Sequence, residues 1–179
     1  TSIVSADRCG VGSTGEKLLL TVEYACAVAS LPTQLFLKFS RNFDDPFHDR
    51  RRFELESEIA LYDVARRADF PVAVPKSLFG DFHAESGTGL LIVEQIPFGR
   101  GNVEPLYEKC MDHTLERARD HYSAILSVLA RLAGRDRAGS LGDQVEALFP
   151  FDYAMAIEED PILVSEDELL AQADDCASL

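Results

Sequence analysis

Three stretches of this sequence hold residue types that could do chemistry together. Lys38 lies inside Leu35–Phe39, with apolar residues on both sides. An ammonium group taken out of water without an anionic partner is strongly unfavourable. Lys38 therefore either turns to solvent through strand alternation or has a carboxylate for company. The stretch after it offers carboxylates. Glu54 and Glu58 stand four apart and share one side of a helix, while Glu56 points elsewhere. Taken singly, each of the three also reads as solvated helix surface. The third stretch runs from Gly10 to Gly15 and holds three glycines in six residues. Glycines let the backbone approach closely and let N–H groups face an anion. The spacing is not GxGxxG, no helix follows it, and it has no GK[ST]. By itself it reads as a hairpin turn.

These groups need elements to position them. Ile3–Ala6, Leu18–Tyr24 and Leu35–Phe39 read as strands of an antiparallel meander, with turn chemistry at Ser30–Thr33. Residues 41–49 read as a loop, and a helix is expected from about Asp49 to Ala68. Pro71 and Pro75 force extended backbone before them. Ser77–His83 and Leu90–Val93 read as two more strands around a turn at Glu85–Gly89. Gly101–Asp112 is irregular. His113–Ala133 repeats Leu115, Ala118, Tyr122, Ile125, Leu126 and Leu129 at helical spacing, with Gly134 placed as a cap. Leu141–Leu148 and Ser165–Asp175 also read as helical. Strands, a helix, strands and then only helices predict an α+β fold.

Composition narrows the function. The chain has 179 residues, 46% hydrophobic and 27% charged, with 17 basic against 31 acidic side chains and a net charge of −14. Such a surface repels nucleic acid and anionic lipid. No apolar run reaches the roughly 18–20 residues that span a bilayer. Cysteines 9, 26, 110 and 176 form no CxxC pair and no zinc-ligand cluster. They read as reduced thiols, which points to a cytoplasmic chain. Arg50, Arg51 and Arg52 read as a solvated helix start opposed to the helix dipole, for which an acidic tertiary partner is expected. Asp120 and His121 read as surface of an amphipathic helix.

In their order, these pieces resemble a known family. The residues are Gly12–Gly15, Leu31–Phe39, Arg52–Tyr62, Val74–Pro75 and Ser86–Ile96. Together they resemble the aminoglycoside phosphotransferase superfamily, with its choline-kinase-like and ecdysteroid-kinase-like branches. The resemblance covers residues 1–100 and extends loosely to about 160. It implies a protein-kinase-like small lobe with a hinge over residues 1–98, followed over 99–179 by the helical start of a large lobe, cut short. It implies ATP as phosphoryl donor and a small-molecule hydroxyl as acceptor. Lys38 would hold the α- and β-phosphates and Glu58 would pair with it, with Glu54 as fallback. Gly12, Ser13 and Thr14 would cover the phosphates. Val93 and Gln95 would offer backbone groups to adenine, with Ile92 behind the ring.

One departure bounds this. The family transfers phosphate with a His-x-Asp…Asn loop and a later metal-binding Asp, and neither motif is present. No catalytic residue is therefore assigned in this chain, and ligands for Mg²⁺ are expected beyond residue 179. The rival readings are a kinase-like module that binds nucleotide or a partner without turnover, and an acidic interaction domain with no nucleotide site. Half of a two-lobed fold would also expose apolar surface and favour self-association.

Overall fold

The computed structural model describes residues 1–10, 15–26, 29–108, 110–143 and 145–150. It is an α+β arrangement built on a five-stranded antiparallel sheet. The strands are β1 (Ser2–Arg8), β2 (Glu16–Glu23), β3 (Gln34–Phe39), β4 (Ser77–His83) and β5 (Thr88–Glu94), in the order β1-β2-β3-β5-β4. The strand at each edge carries an irregularity, between Ile3 and Ser5 in β1 and between Ser77 and Phe79 in β4. Such breaks blunt an open edge.

Side-chain alternation gives the sheet two faces. One carries Leu20, Val22, Leu35 and Leu37, all buried, with Leu18, Phe39, Leu90 and Ile92 packed on them. The other carries Phe36, Leu91 and Val93, and there Leu55, Ile59 and Tyr62 of α2 (Glu54–Ala65) settle. Gly80 lets the helix come close: a Cβ there would stand 3.1 Å from the Ile59 side chain.

The expected helix over 49–68 is two helices. α1 (Pro46–Arg50) starts on Asp45, whose carboxylate accepts from the N–H groups of Phe47 and His48, with Pro46 in the first turn. A turn at 51–53 then separates it from α2. This corrects the reading of the arginine run. Arg50 and the cap residue Arg51 stand at a helix C-terminus, where cations are favourable. Arg51 pairs with Glu54. Arg52 donates from Nε to the Ser86 carbonyl at 3.1 Å, and its side chain lies against Gly87 in the β4–β5 turn.

After β5 the described residues form no regular structure before a 3₁₀ turn at Asp112–Thr114, and the chain then enters α3 (Ala118–Arg137). Gly134 does not end that helix. α3 continues to Arg137, and Gly139, at φ +67°, follows the cap residue. Of the helix expected over 141–148, the described residues form α4 (Val145–Leu148), and residues 141–143 lie outside it. Residues 1–145 make one compact unit, and residues 146–179 make a second, described only to Pro150. The expected helix at Ser165–Asp175 lies outside the described residues.

Candidate functional site

The site begins with β3. Its residues alternate, so Leu35, Leu37 and Phe39 face one core while Phe36 and Lys38 face α2. The Lys38 side chain is left 17% exposed. Leu55, Ile59 and Tyr62 fix the rotation of α2 by packing on Phe36, Leu91 and Val93. That rotation carries Glu58 to β3, where its carboxylate accepts a charge-assisted bond from the Lys38 ammonium. Glu54, the alternative partner, is turned to solvent and held by Arg51. Glu56 is exposed.

Tyr62 stands one turn after Glu58. Burial, and then the nearby Glu58 carboxylate, push its phenol above the ordinary tyrosine value. It stays neutral at physiological pH and adds an apolar wall with a polar tip.

Gly15, the last glycine of the glycine-rich stretch, reaches the same place. Gly15 has φ +59°, and a Cβ there would stand 1.8 Å from the Phe39 carbonyl oxygen. Only glycine lets the turn rest on the strand end beside Lys38. Gly12, Ser13 and Thr14 lie outside the described residues. Beyond Phe39, the buried Ser40 hydroxyl donates to the Gly87 carbonyl at 2.7 Å and accepts from the Gly89 N–H at 2.7 Å. The end of β3 is thus tied to the β4–β5 turn.

The expected adenine-binding residues are placed differently from one another. Val93 is buried against α2 and paired on both sides, with Phe36 and with Ser77. The Gln95 N–H donates to the Gln34 carbonyl at 3.0 Å. That donor is engaged in closing the sheet. Ile92 packs on the opposite face, with Leu20, Leu35 and Leu37, because its register partner is Leu37 and not Lys38. Lys38, Glu58 and Val93 therefore share one side of the sheet, and the Ile92 side chain is on the other. The wall beside Lys38 is Leu91, its direct partner on β5.

The chain matches no protein-family model, no curated protein and no solved structure. The site is therefore read from its own residues.

Sequence reasoning missed Lys17. It is paired with Lys38 across the β2–β3 ladder and is only 7% exposed. Its alternation with Leu18 gave no signal, since an isolated strand does not reveal its register.

Among the described residues, no three His, Cys, Asp or Glu side chains are grouped to hold a metal ion. Cys9, Cys26 and Cys110 are unbonded thiols. No helix among the described residues is long and apolar enough to cross a membrane. A separate groove of about 520 Å³ lies between the loop at Glu104–Tyr107 and the start of α3. His121 contacts Glu104 there at 3.3 Å, and the Tyr107 ring meets its imidazole edge-on. Arg117 donates to Asp120 at 2.7 Å. Neither Lys38 nor Glu58 lines this groove.

Proposed function

We propose that this chain carries the nucleotide-binding part of an ATP-dependent phosphotransferase that acts on the hydroxyl group of a small molecule. The Lys38–Glu58 ion pair carries the reading. A lysine on a central strand, fixed by a glutamate on the following helix, is a preset point charge for phosphate oxygens. The strand order β1-β2-β3-β5-β4 supports it, because it sets the glycine-rich turn at the same end of the sheet as Lys38. The small-lobe resemblance is part of the proposal. So is the placement of the nucleotide on the α2 face, with the base toward the chain leaving β5.

The residues at hand account for binding. Lys38 would neutralise charge on the α- and β-phosphates, Glu58 would hold the ammonium in place, and the glycine turn would approach the phosphate chain. Magnesium would neutralise the remaining phosphate charge when bound. The described residues gather no ligand set for it. The second reading is that the chain binds nucleotide without turnover.

The test is ATP affinity by calorimetry for the wild type and Lys38→Met, with cooperative urea unfolding as the fold control. Loss of a charge-assisted contact is expected to weaken binding about tenfold or more. Equal affinity in a folded Lys38→Met protein would remove Lys38 from the site. Binding without consumption of ATP across a panel of hydroxyl acceptors would favour the second reading.

A further inference from the structure

The turn between β4 and β5 touches both segments that carry the ion pair. On one side stands Ser40, two residues after Lys38. Its buried hydroxyl donates to the Gly87 carbonyl and accepts from the Gly89 N–H, each at 2.7 Å. The Ser40 N–H donates to the Gly89 carbonyl at 3.1 Å. On the other side stands Arg52, six residues before Glu58, in the turn that leads into α2. It donates from Nε to the Ser86 carbonyl at 3.1 Å and from Nη1 to the Asp49 carbonyl at 3.3 Å. Gly87, at φ +66°, admits it, because a Cβ there would stand 2.7 Å from the Arg52 side chain. Ser86, Gly87 and Gly89 therefore hold the end of the Lys38 strand and the approach to the Glu58 helix at once. An ion pair between a strand and a helix lasts only while the two keep their spacing. The apolar packing of α2 on Phe36, Leu91 and Val93 is non-directional. Hydrogen bonds have a set length and direction, so bonds to one shared turn fix that spacing more closely.

We propose that the β4–β5 turn is a clamp that positions the Lys38–Glu58 pair, with Ser40 and Arg52 as positioning residues on its two sides. The proposal deepens the nucleotide-binding reading and rests on it for its purpose, which is to hold the ammonium ready for phosphate. Ser40 and Arg52 act through the pair and touch no ligand in this scheme. Without the Ser40 hydroxyl, the Gly87 carbonyl and the Gly89 N–H lose a buried partner and the strand end is freed. Without the Arg52 side chain, the approach to α2 loses its bond to the turn.

The experiment reads Lys38 directly, with no ligand present. The full chain is treated with an N-hydroxysuccinimide ester, and the modification rate of each lysine is followed by mass spectrometry. The proteins are the wild type, Glu58→Gln, Ser40→Ala, Arg52→Ala and Leu20→Ala. Glu58→Gln gives the rate of a Lys38 without its partner. Leu20→Ala opens a cavity on the other face of the sheet and shows what destabilisation alone does. Ser40→Ala and Arg52→Ala are each expected to raise the Lys38 rate about threefold or more, toward the Glu58→Gln value, with Lys76 unchanged. Leu20→Ala should leave Lys38 at the wild-type rate. Arg52 is only partly buried, so Arg52→Ala keeps the test open should Ser40→Ala not fold. Wild-type labelling of Lys38 in the folded variants overturns the clamp, and so does an equal acceleration in Leu20→Ala. ATP affinity by calorimetry joins the clamp to the site. Arg52→Ala should weaken ATP about threefold or more by itself and add almost no loss in the Lys38→Met background, where no pair remains to be positioned. The same loss in both backgrounds overturns the positioning role of Arg52. Equal ATP binding by wild type and Lys38→Met overturns the nucleotide reading, and the labelling rates then still decide the clamp.

Discussion

Asp49 accepts from Nε and Nη2 of Arg41, at 2.7 and 2.9 Å, and from the Asn42 N–H at 3.1 Å. These bonds fix the loop between β3 and α1, just beyond the strand that carries Lys38. The hydrogen bond from Arg41, aided by the Asn42 N–H and by the charges of Arg41 and Arg52, outweighs desolvation and holds the Asp49 carboxyl below its ordinary value. A carboxyl lowered in the folded state adds stability above its unfolded pKa of about 3.9, and that stability fades as pH falls through the folded value. Wild type should therefore exceed Asp49→Asn in urea midpoint at pH 7 by a margin that shrinks as pH drops below about 4. A margin that stays constant between pH 7 and pH 3 would show that the Arg41 pair contributes nothing specific. At this scale the sequence was partly readable. Lys38 stood out because an ammonium within an apolar run needs company, and helix spacing narrowed that company to Glu54 or Glu58. Choosing between them needed the rotation of α2, which Leu55, Ile59 and Tyr62 set through tertiary contacts. Lys17 gave no local signal, since its meaning lies in a register partner 21 residues away.

At the scale of elements, the glycine-rich turn is held where it lands on β3. Gly15 combines a left-handed backbone with a carbonyl inside the volume a side chain would need. Gly10, at the other end of the stretch, has no described residue within 4 Å of the position a Cβ would take. The two glycines should therefore respond differently. Gly15→Ala is expected to lower stability by about 1–2 kcal/mol from the left-handed conformation alone, with a further loss from displacing the turn. Gly10→Ala should leave the urea midpoint nearly unchanged. Equal midpoints for the two variants would mean that the turn does not rest on Phe39. Five strands were legible from apolar alternation and turn residues, and so was one helix of the first hundred residues. The break between α1 and α2 was not expected, although Asp45 followed by Pro46 is a start signal of its own. The arginines drew attention to position 49 and away from that cap. Gly134 misled in the opposite sense: a glycine can be carried inside a helix at a cost of about 1 kcal/mol, and the turn was completed instead by Gly139.

At the scale of the molecule, and among the described residues, buried apolar side chains other than Leu141 are concentrated around the sheet. Leu20, Val22, Leu35, Leu37, Leu91 and Val93 come from strands, and Leu55, Ala60 and Val64 from α2. α3 contributes no buried residue, and Tyr122, Ile125, Leu126 and Leu129 are each about half exposed or more along one side of it. A helix stabilised mainly by its own backbone bonds is marginal in water, because helices in proteins draw most of their stability from packing an apolar face. Local opening then requires far less free energy than global unfolding. Amide hydrogen exchange of the 179-residue chain should divide accordingly. The slowest amides are expected in β2, β3 and β5, exchanging only through global unfolding. Those of α3 should exchange faster by roughly a hundredfold or more. The Lys38 strand would then sit in the most protected part of the molecule, as the proposed seat for phosphate requires. Comparable protection in α3 and β5 would show that the helix has tertiary support and that stability is not divided between sheet and helix in this way. Addition of ATP sharpens the test. Ligand binding to the sheet should slow the strand amides that open only globally and leave the local opening of α3 unchanged, because a ligand stabilises only against transitions that destroy its site.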